Sequence, residues 1–141
     1  MRIAFDAHKD QVDKSGVPCV FHPMHLAEQM TDEESTCAAL LHDVVEDTDA
    51  TFEWLAEQGI PASVISALQL LTHDDSVPYL DYVGKIKENP IAASVKLADL
   101  RHNSDLTRLD TVNQKDLDRV KKYSDAIALL TDTENRRKDL A

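Results

Sequence analysis

The chain has little of what punctuates β structure. Its 141 residues include 3 Gly and 5 Pro, too few to supply the turns of an ordinary sheet of hairpins. Ala, Leu, Glu, Lys and Asp dominate instead, a composition suited to helices. Cysteine is scarce as well: Cys19 and Cys37 are the only two, and their spacing excludes a CxxC thiolate metal site and a disulfide framework. Cys37 is expected to pack as a small apolar side chain. Long apolar runs are missing. The stretch Ala38 to Val45 is far short of the roughly 20 residues a membrane-spanning helix needs. The start, Met1 to Asp6, lacks the apolar segment of a secretory signal, so a cytoplasmic location with no membrane contact is expected. Clustered Lys and Arg are also lacking, and the net charge is −11. Phosphate backbones are normally met by basic stripes, so nucleic acid is not an expected partner. An acidic chain can still take a small anionic nucleotide if a divalent ion and a few lysines set the local field.

The length suits one core and one domain over 1–141. No repeat, linker or low-complexity segment divides it. Apolar periodicity predicts an all-α bundle of about eight helices. These run from Ile3 to about Val12, from Pro23, through the run holding His42, over Phe52–Gln58, Pro61–Thr72, Pro78–Lys87, from Pro90 through Asp99, and over Val112–Thr131. The last has Leu117, Val120, Tyr123, Ala126, Ile127 and Leu130 at helical spacing. Thr31 to Glu34 offers capping chemistry for the helix that carries His42. The charged stretch over about 133–141 is expected to fray.

The most informative run is Cys37 to Thr48, where His42, Asp43, Glu46 and Asp47 interrupt an apolar helix. Side chains three or four apart stack on one helical face, so these four can line one side of a single helix. Burying several carboxylates without partners costs several kcal/mol each, and a bound cation removes most of that cost. A helix end with ordinary surface acids is the competing reading. Further ligands would have to come from elsewhere. His22 precedes Pro23, a residue suited to a first helical turn, and is expected just ahead of a helix start. Asp99 is the one acid in the apolar run Ala92 to Leu100, and Asn103 lies four residues on, on the same face. Two imidazoles and two carboxylates with no thiolate suit manganese, iron, zinc or nickel better than calcium. Lys14, eight residues before His22, is the best-placed cation for a phosphate. Lys96 and Arg101, near Asp99 in sequence, are further candidates to meet substrate phosphate, as is Arg108, with a place on the surface as the competing reading for each.

These residues carry a family resemblance. The order His22, His42 with Asp43, and Asp99 resembles the signature of the HD superfamily of metal-dependent phosphohydrolases. Three stretches resemble, more narrowly, the hydrolase domain of RelA/SpoT-type alarmone enzymes: Ala7-His8 through Gln11 with Lys14–Pro18 to His22-Pro23, Ala39–Asp43 with Glu46–Thr48, and Val95–Asp99 with His102-Asn103. Leu71 to His73, followed by Tyr79 and Tyr82, fits the segment between the second and third. The resemblance implies His22, His42, Asp43 and Asp99 as metal ligands, Glu46 and Asp47 as catalytic acids, and manganese as the metal. It implies Asn103 at the ribose, and release of pyrophosphate from the 3′ position of guanosine tetra- or pentaphosphate. His8 reads as a core residue of the first helix, with a supporting place behind the site as the alternative. The chain departs from the pattern where an arginine and an aromatic residue are usual, carrying Asp13 and Cys19. That leaves three functions open: an alarmone 3′-pyrophosphohydrolase, a hydrolase of another nucleotide or phosphoester, and a metal-stabilised binding domain without turnover.

Overall fold

The computed structural model describes residues 1–12, 16–105 and 111–140, with side chains described to residue 131. Among these residues the chain forms nine helices in the order α1 (Arg2–His8), α2 (Phe21–Glu28), α3 (Glu33–Leu41), α4 (Val44–Asp47), α5 (Phe52–Glu57), α6 (Ala62–Leu71), α7 (Tyr79–Ile86), α8 (Pro90–Asn103) and α9 (Gln114–Leu140). The all-α expectation holds. The one piece of extended pairing among them is an isolated antiparallel bridge between Val12 and Pro18.

Helix starts follow local chemistry. Asp32 accepts the Ser35 N–H at the head of α3, and Thr51 accepts the Trp54 N–H at the head of α5, each satisfying a donor that the first turn leaves open. Asn89 accepts from Ile91 and Ala92, with Pro90 at the first helical position of α8. At α9, Asn113 and Asp116 exchange side-chain to main-chain bonds of 3.0 and 3.1 Å, a reciprocal box of the kind that fixes helix starts.

Several boundaries differ from the expectation. α1 ends at His8, not near Val12, because Gln11 turns away: its carbonyl accepts from the Cys19 N–H at 2.8 Å. α2 begins at Phe21, so His22 sits inside the first turn instead of ahead of it, and Pro23 is tolerated there because first-turn N–H groups have no helical acceptor. α9 continues through Leu140, a length its Lys, Arg and Glu content favours. Leu117, read as a packing position, is 48% exposed, while Ala126 and Leu130 are buried.

α3 lies at the centre, packed on α2, α6 and α8, with α6 also against α8 and α9 closing over α7 and α8. The core combines Leu26, Ala38, Ala39, Leu41, Val64, Leu68, Val83, Ile86, Val95 and Leu100. Ala92, Val95 and Asp99 follow a single stripe of α8, so the stripe that buries the helix also carries the acid inward. Leu68 is 1% exposed at the meeting of α6 with α3 and α8. Leu68→Ala should cost about 2–5 kcal/mol, read as a lower midpoint in urea unfolding with an unchanged slope; an unchanged midpoint would show that this layer contributes little.

Candidate functional site

The helix expected to run through His42 is broken there. α3 stops at Leu41 and α4 starts at Val44. The cause is visible in the bonding: the His42 Nδ1–H donates to the Ala39 carbonyl at 2.7 Å, the acceptor that the Asp43 N–H would use in a continuous helix. This bond also fixes the imidazole, leaving Nε2 to face the interior with its lone pair in the neutral ring. The four polar residues of the run therefore do not share one face. Glu46 turns toward the α6–α7 connection, where its Oε1 accepts the His73 N–H at 2.6 Å, while Asp47 borders a cavity on the other side. Both residues are exposed, and Asp99 is the buried carboxylate of the group.

His22, His42 and Asp43 offer ligand atoms that all lie within 4.8 Å of one another. Asp99 joins them from α8. Its Oδ1 lies 2.8 Å from His22 Nε2 and 3.7 Å from His42 Nε2, and accepts from Asn103 Nδ2 at 2.9 Å. Lys96 Nζ donates to Oδ2 at 3.1 Å. Burial pushes the Asp99 carboxyl upward, but the bond from His22, the His42 imidazole facing it and the charge of Lys96 outweigh it and hold the group well below the usual carboxylate range. His42 shows the converse. Burial works against its charged form, yet Asp43 and Asp99 raise it well above the ordinary imidazole value.

One atom stands out. His42 Nε2 is buried, lies 3.0 Å from Asp43 Oδ2, and still meets no partner in hydrogen-bonding geometry among the described residues. A buried polar atom without a partner costs about 1–3 kcal/mol, and a cation held jointly with His22, Asp43 and Asp99 would satisfy it. Nitrogen and oxygen donors without sulfur fit a divalent ion of borderline or hard character.

Beside this group lies a cavity of about 570 Å³ bordered by His8, Cys19, Phe21, Asp47, His102 and Asn103, together with His22 and Asp43. Its wall includes two histidines given no role by the sequence reading. His102 stacks on His22 at 4.7 Å between ring centres, and His25 lies 4.5 Å from His102. The spacing carried a signal for one of them, because His102 is three residues after Asp99 and so shares its face.

The cations divide. Lys96 is drawn in as the partner of Asp99, its ammonium 5.3 Å from the Tyr82 ring centre and 5.8 Å from that of Tyr79. Arg101 is not brought to the group. Two residues along a helix turn through about 200°, and Arg101 instead borders a separate depression with Met30, Ser94 and Leu97. Asp13, Lys14 and Arg108 lie outside the described residues.

The HD-domain family profile matches residues 1–127. The chain belongs to the HD-domain family. Within it, this HD domain is 38% identical over 122 residues to the guanosine-3′,5′-bis(diphosphate) 3′-pyrophosphohydrolase MESH1 of Danio rerio, covering 77% of the chain and 67% of that protein. It is also 38% identical over 116 residues to the bifunctional (p)ppGpp synthase/hydrolase SpoT of Escherichia coli K12, covering 72% of the chain but 16% of that much longer protein. Among solved structures, one described as a metazoan orthologue of SpoT that hydrolyses ppGpp superposes with a TM-score of 0.69 at 27% identity, over 96% of this chain and 92% of the other. Among the described residues no helix is long and apolar enough to cross a membrane.

The perturbed groups give the metal-free HD domain a pH signature. His42, raised on folding, adds stability that is complete below about pH 6.5 and is lost as pH rises through its folded value. Asp99, lowered on folding, adds stability present above about pH 4 and lost as pH falls through its folded value. With chelator present, the urea midpoint should therefore decline as pH rises above about 6.5, and a divalent ion should remove the decline by taking the His42 lone pair. A midpoint flat over that range without metal would contradict the assignment.

Proposed function

We propose that this HD domain is a metal-dependent phosphohydrolase acting on guanosine 3′,5′-bis(diphosphate) and its pentaphosphate relative, releasing pyrophosphate from the 3′ position. The observation that carries the reading is the convergence of His22, His42, Asp43 and Asp99 from α2, the α3–α4 break and α8, beside a cavity that Asp47 and Asn103 border. Similarity to MESH1 over most of the chain supports the substrate. His22, His42, Asp43 and Asp99 hold a divalent ion, Mn²⁺ in this reading, which when bound would acidify water and polarise a phosphoryl oxygen.

The protein groups divide the remaining work. Partial desolvation raises the Asp47 carboxyl, with the Asp43 charge adding to the shift, and it likewise raises Glu46. A raised carboxyl holds a proton more readily, which brings it nearer the range where a general base is effective. Asp47 borders the cavity and is placed to take a proton from water. Glu46, pinned through Oε1 by the His73 N–H, orients that water from the opposite side. Asn103 spans Asp99 and the cavity wall, the position from which it would meet the ribose. Lys96 keeps Asp99 ionised and leaves substrate phosphate to Lys14. A nucleotide is a small anionic partner that the net charge of −11 does not prevent, because the local field is set by the ion and the lysines. A cytoplasmic site of action fits such a substrate.

A second reading keeps the chemistry and changes the substrate to another nucleotide or phosphoester. It is favoured by Cys19, which places a small thiol on the cavity wall, and by Asp13 in the adjoining sequence. Assay of the purified protein with Mn²⁺ against the alarmone, other nucleotides and generic phosphoesters separates the two. Preferred cleavage of a substrate without a 3′-pyrophosphate would refute the first, and no turnover of any would favour a binding domain. Glu46→Gln should keep bound metal near wild-type content while kcat falls about 10²–10⁴-fold. Asp43→Ala should lose the metal, and equal metal content in Asp43→Ala and wild type would overturn its place as a ligand.

A further inference from the structure

One helix reaches His22 at both ring nitrogens. His22 Nε2 lies 2.8 Å from Asp99 Oδ1, and His22 Nδ1 lies 2.5 Å from Nδ1 of His102. Asp99 and His102 are three residues apart in α8 and so stand on one face of it. The imidazole that α2 delivers is therefore gripped at opposite edges by two side chains of α8.

The contact with His102 is directional. The ring centres are 4.7 Å apart and the planes 18° from parallel. Under those conditions two ring nitrogens come within 2.5 Å of each other only if the rings are strongly offset and meet edge to edge, near the plane that holds both the N–H and the lone pair. An imidazole nitrogen can donate or accept, so the bond forms whichever of the two carries the hydrogen. His102 is steadied in turn by His25, one turn after His22 in α2, with 4.5 Å between ring centres.

His42 follows the same plan. Its Nδ1 is tied to the Ala39 carbonyl at 2.7 Å, and its Nε2 faces Asp99. Both imidazoles of the junction thus turn Nε2 toward Asp99 and are anchored through Nδ1, His42 by main chain and His22 by a side chain. Such an anchor has work to do, because the ring torsion of histidine is broad and nearly two-fold. Without it, His22 would spread over orientations that carry Nε2 away from the junction. We propose that His102 is the positioning residue of His22: through the Nδ1–Nδ1 bond it sets the plane of that ring and keeps Nε2 aimed where His22, His42, Asp43 and Asp99 converge. It acts through His22 and is not itself a ligand.

This role rests on the divalent-ion part of the proposed function and not on the substrate. Two substitutions separate the bond from simple packing. His102→Phe keeps a ring beside His25 and loses the nitrogen; His102→Asn keeps an amide that can bond in either sense. In the whole chain, the Mn²⁺ dissociation constant measured by chelator competition should rise about 10–100-fold in His102→Phe, the range for losing the group behind a histidine ligand, and stay within about threefold of wild type in His102→Asn. Wild-type affinity in His102→Phe, or an equal loss in both variants, would overturn the role. The unsubstituted protein gives a second readout. Loaded with Zn²⁺ as a diamagnetic ion, it should show nitrogen-15 scalar coupling between His22 Nδ1 and His102 Nδ1 across the bond, and assigned resonances without that coupling would overturn the pairing. A wild type that takes up neither ion would overturn the metal reading and this role together. Neither measurement uses a substrate, so a failed alarmone assay and a failed role for His102 are told apart.

Discussion

A buried carboxylate cannot remain charged without company, and Asp99 sets that constraint at the heart of this bundle. Its two oxygens are engaged by His22, Asn103 and Lys96, and His42 faces it across 3.7 Å. Satisfying it requires α2, α8 and the end of α3 to arrive at one place, so packing of the apolar layers and assembly of the polar junction are a single event. Charge balance then extends outward. Lys96 is itself partly buried, its side chain 13% exposed, and Asp99 with the Tyr82 and Tyr79 rings keeps its ammonium favourable despite that burial.

The second governing feature is the interruption at His42. A continuous helix would have put His42, Asp43, Glu46 and Asp47 on one face, with like charges stacked at neighbouring turns. The His42 bond to the Ala39 carbonyl ends α3 and re-aims the turn after it. Asp43 stays with the histidines, Glu46 is fastened to the α6–α7 connection, and Asp47 turns to the cavity. In the proposed reading, the donors that would hold the ion and the acids that would handle protons are thereby separated by a few residues of main chain. That separation lets one short segment provide both.

Much of this was legible in the residues. Paucity of glycine and proline pointed to an all-α fold, and apolar periodicity placed α5 to α8 close to their observed ends. His22, the His42 and Asp43 pair and Asp99 stood out because polar residues in apolar helical runs need partners, and the fold brings the four together, with Lys96 and Asn103 completing the partners of Asp99. What periodicity could not reveal was decided by hydrogen bonds outside the helical ladders. The break after Leu41 depends on one imidazole competing for a carbonyl, and the early end of α1 on the Gln11 carbonyl bonding to Cys19. Proximity in sequence also misled for Arg101, where rotation about α8 outweighs nearness to Asp99. His8 read as a core residue of the first helix, with a supporting place behind the site as the alternative, and it is buried there with its ring bonded to Gln11.

The most direct test of a divalent ion at this junction is crystallographic. Crystals grown with Mn²⁺ and measured on the long- and short-wavelength sides of its absorption edge should show one strong anomalous peak bounded by His22, His42, Asp43 and Asp99, with His42 Nε2 among its ligands. Full density for these four side chains with no anomalous peak between them, or with the ion bound elsewhere, would contradict it.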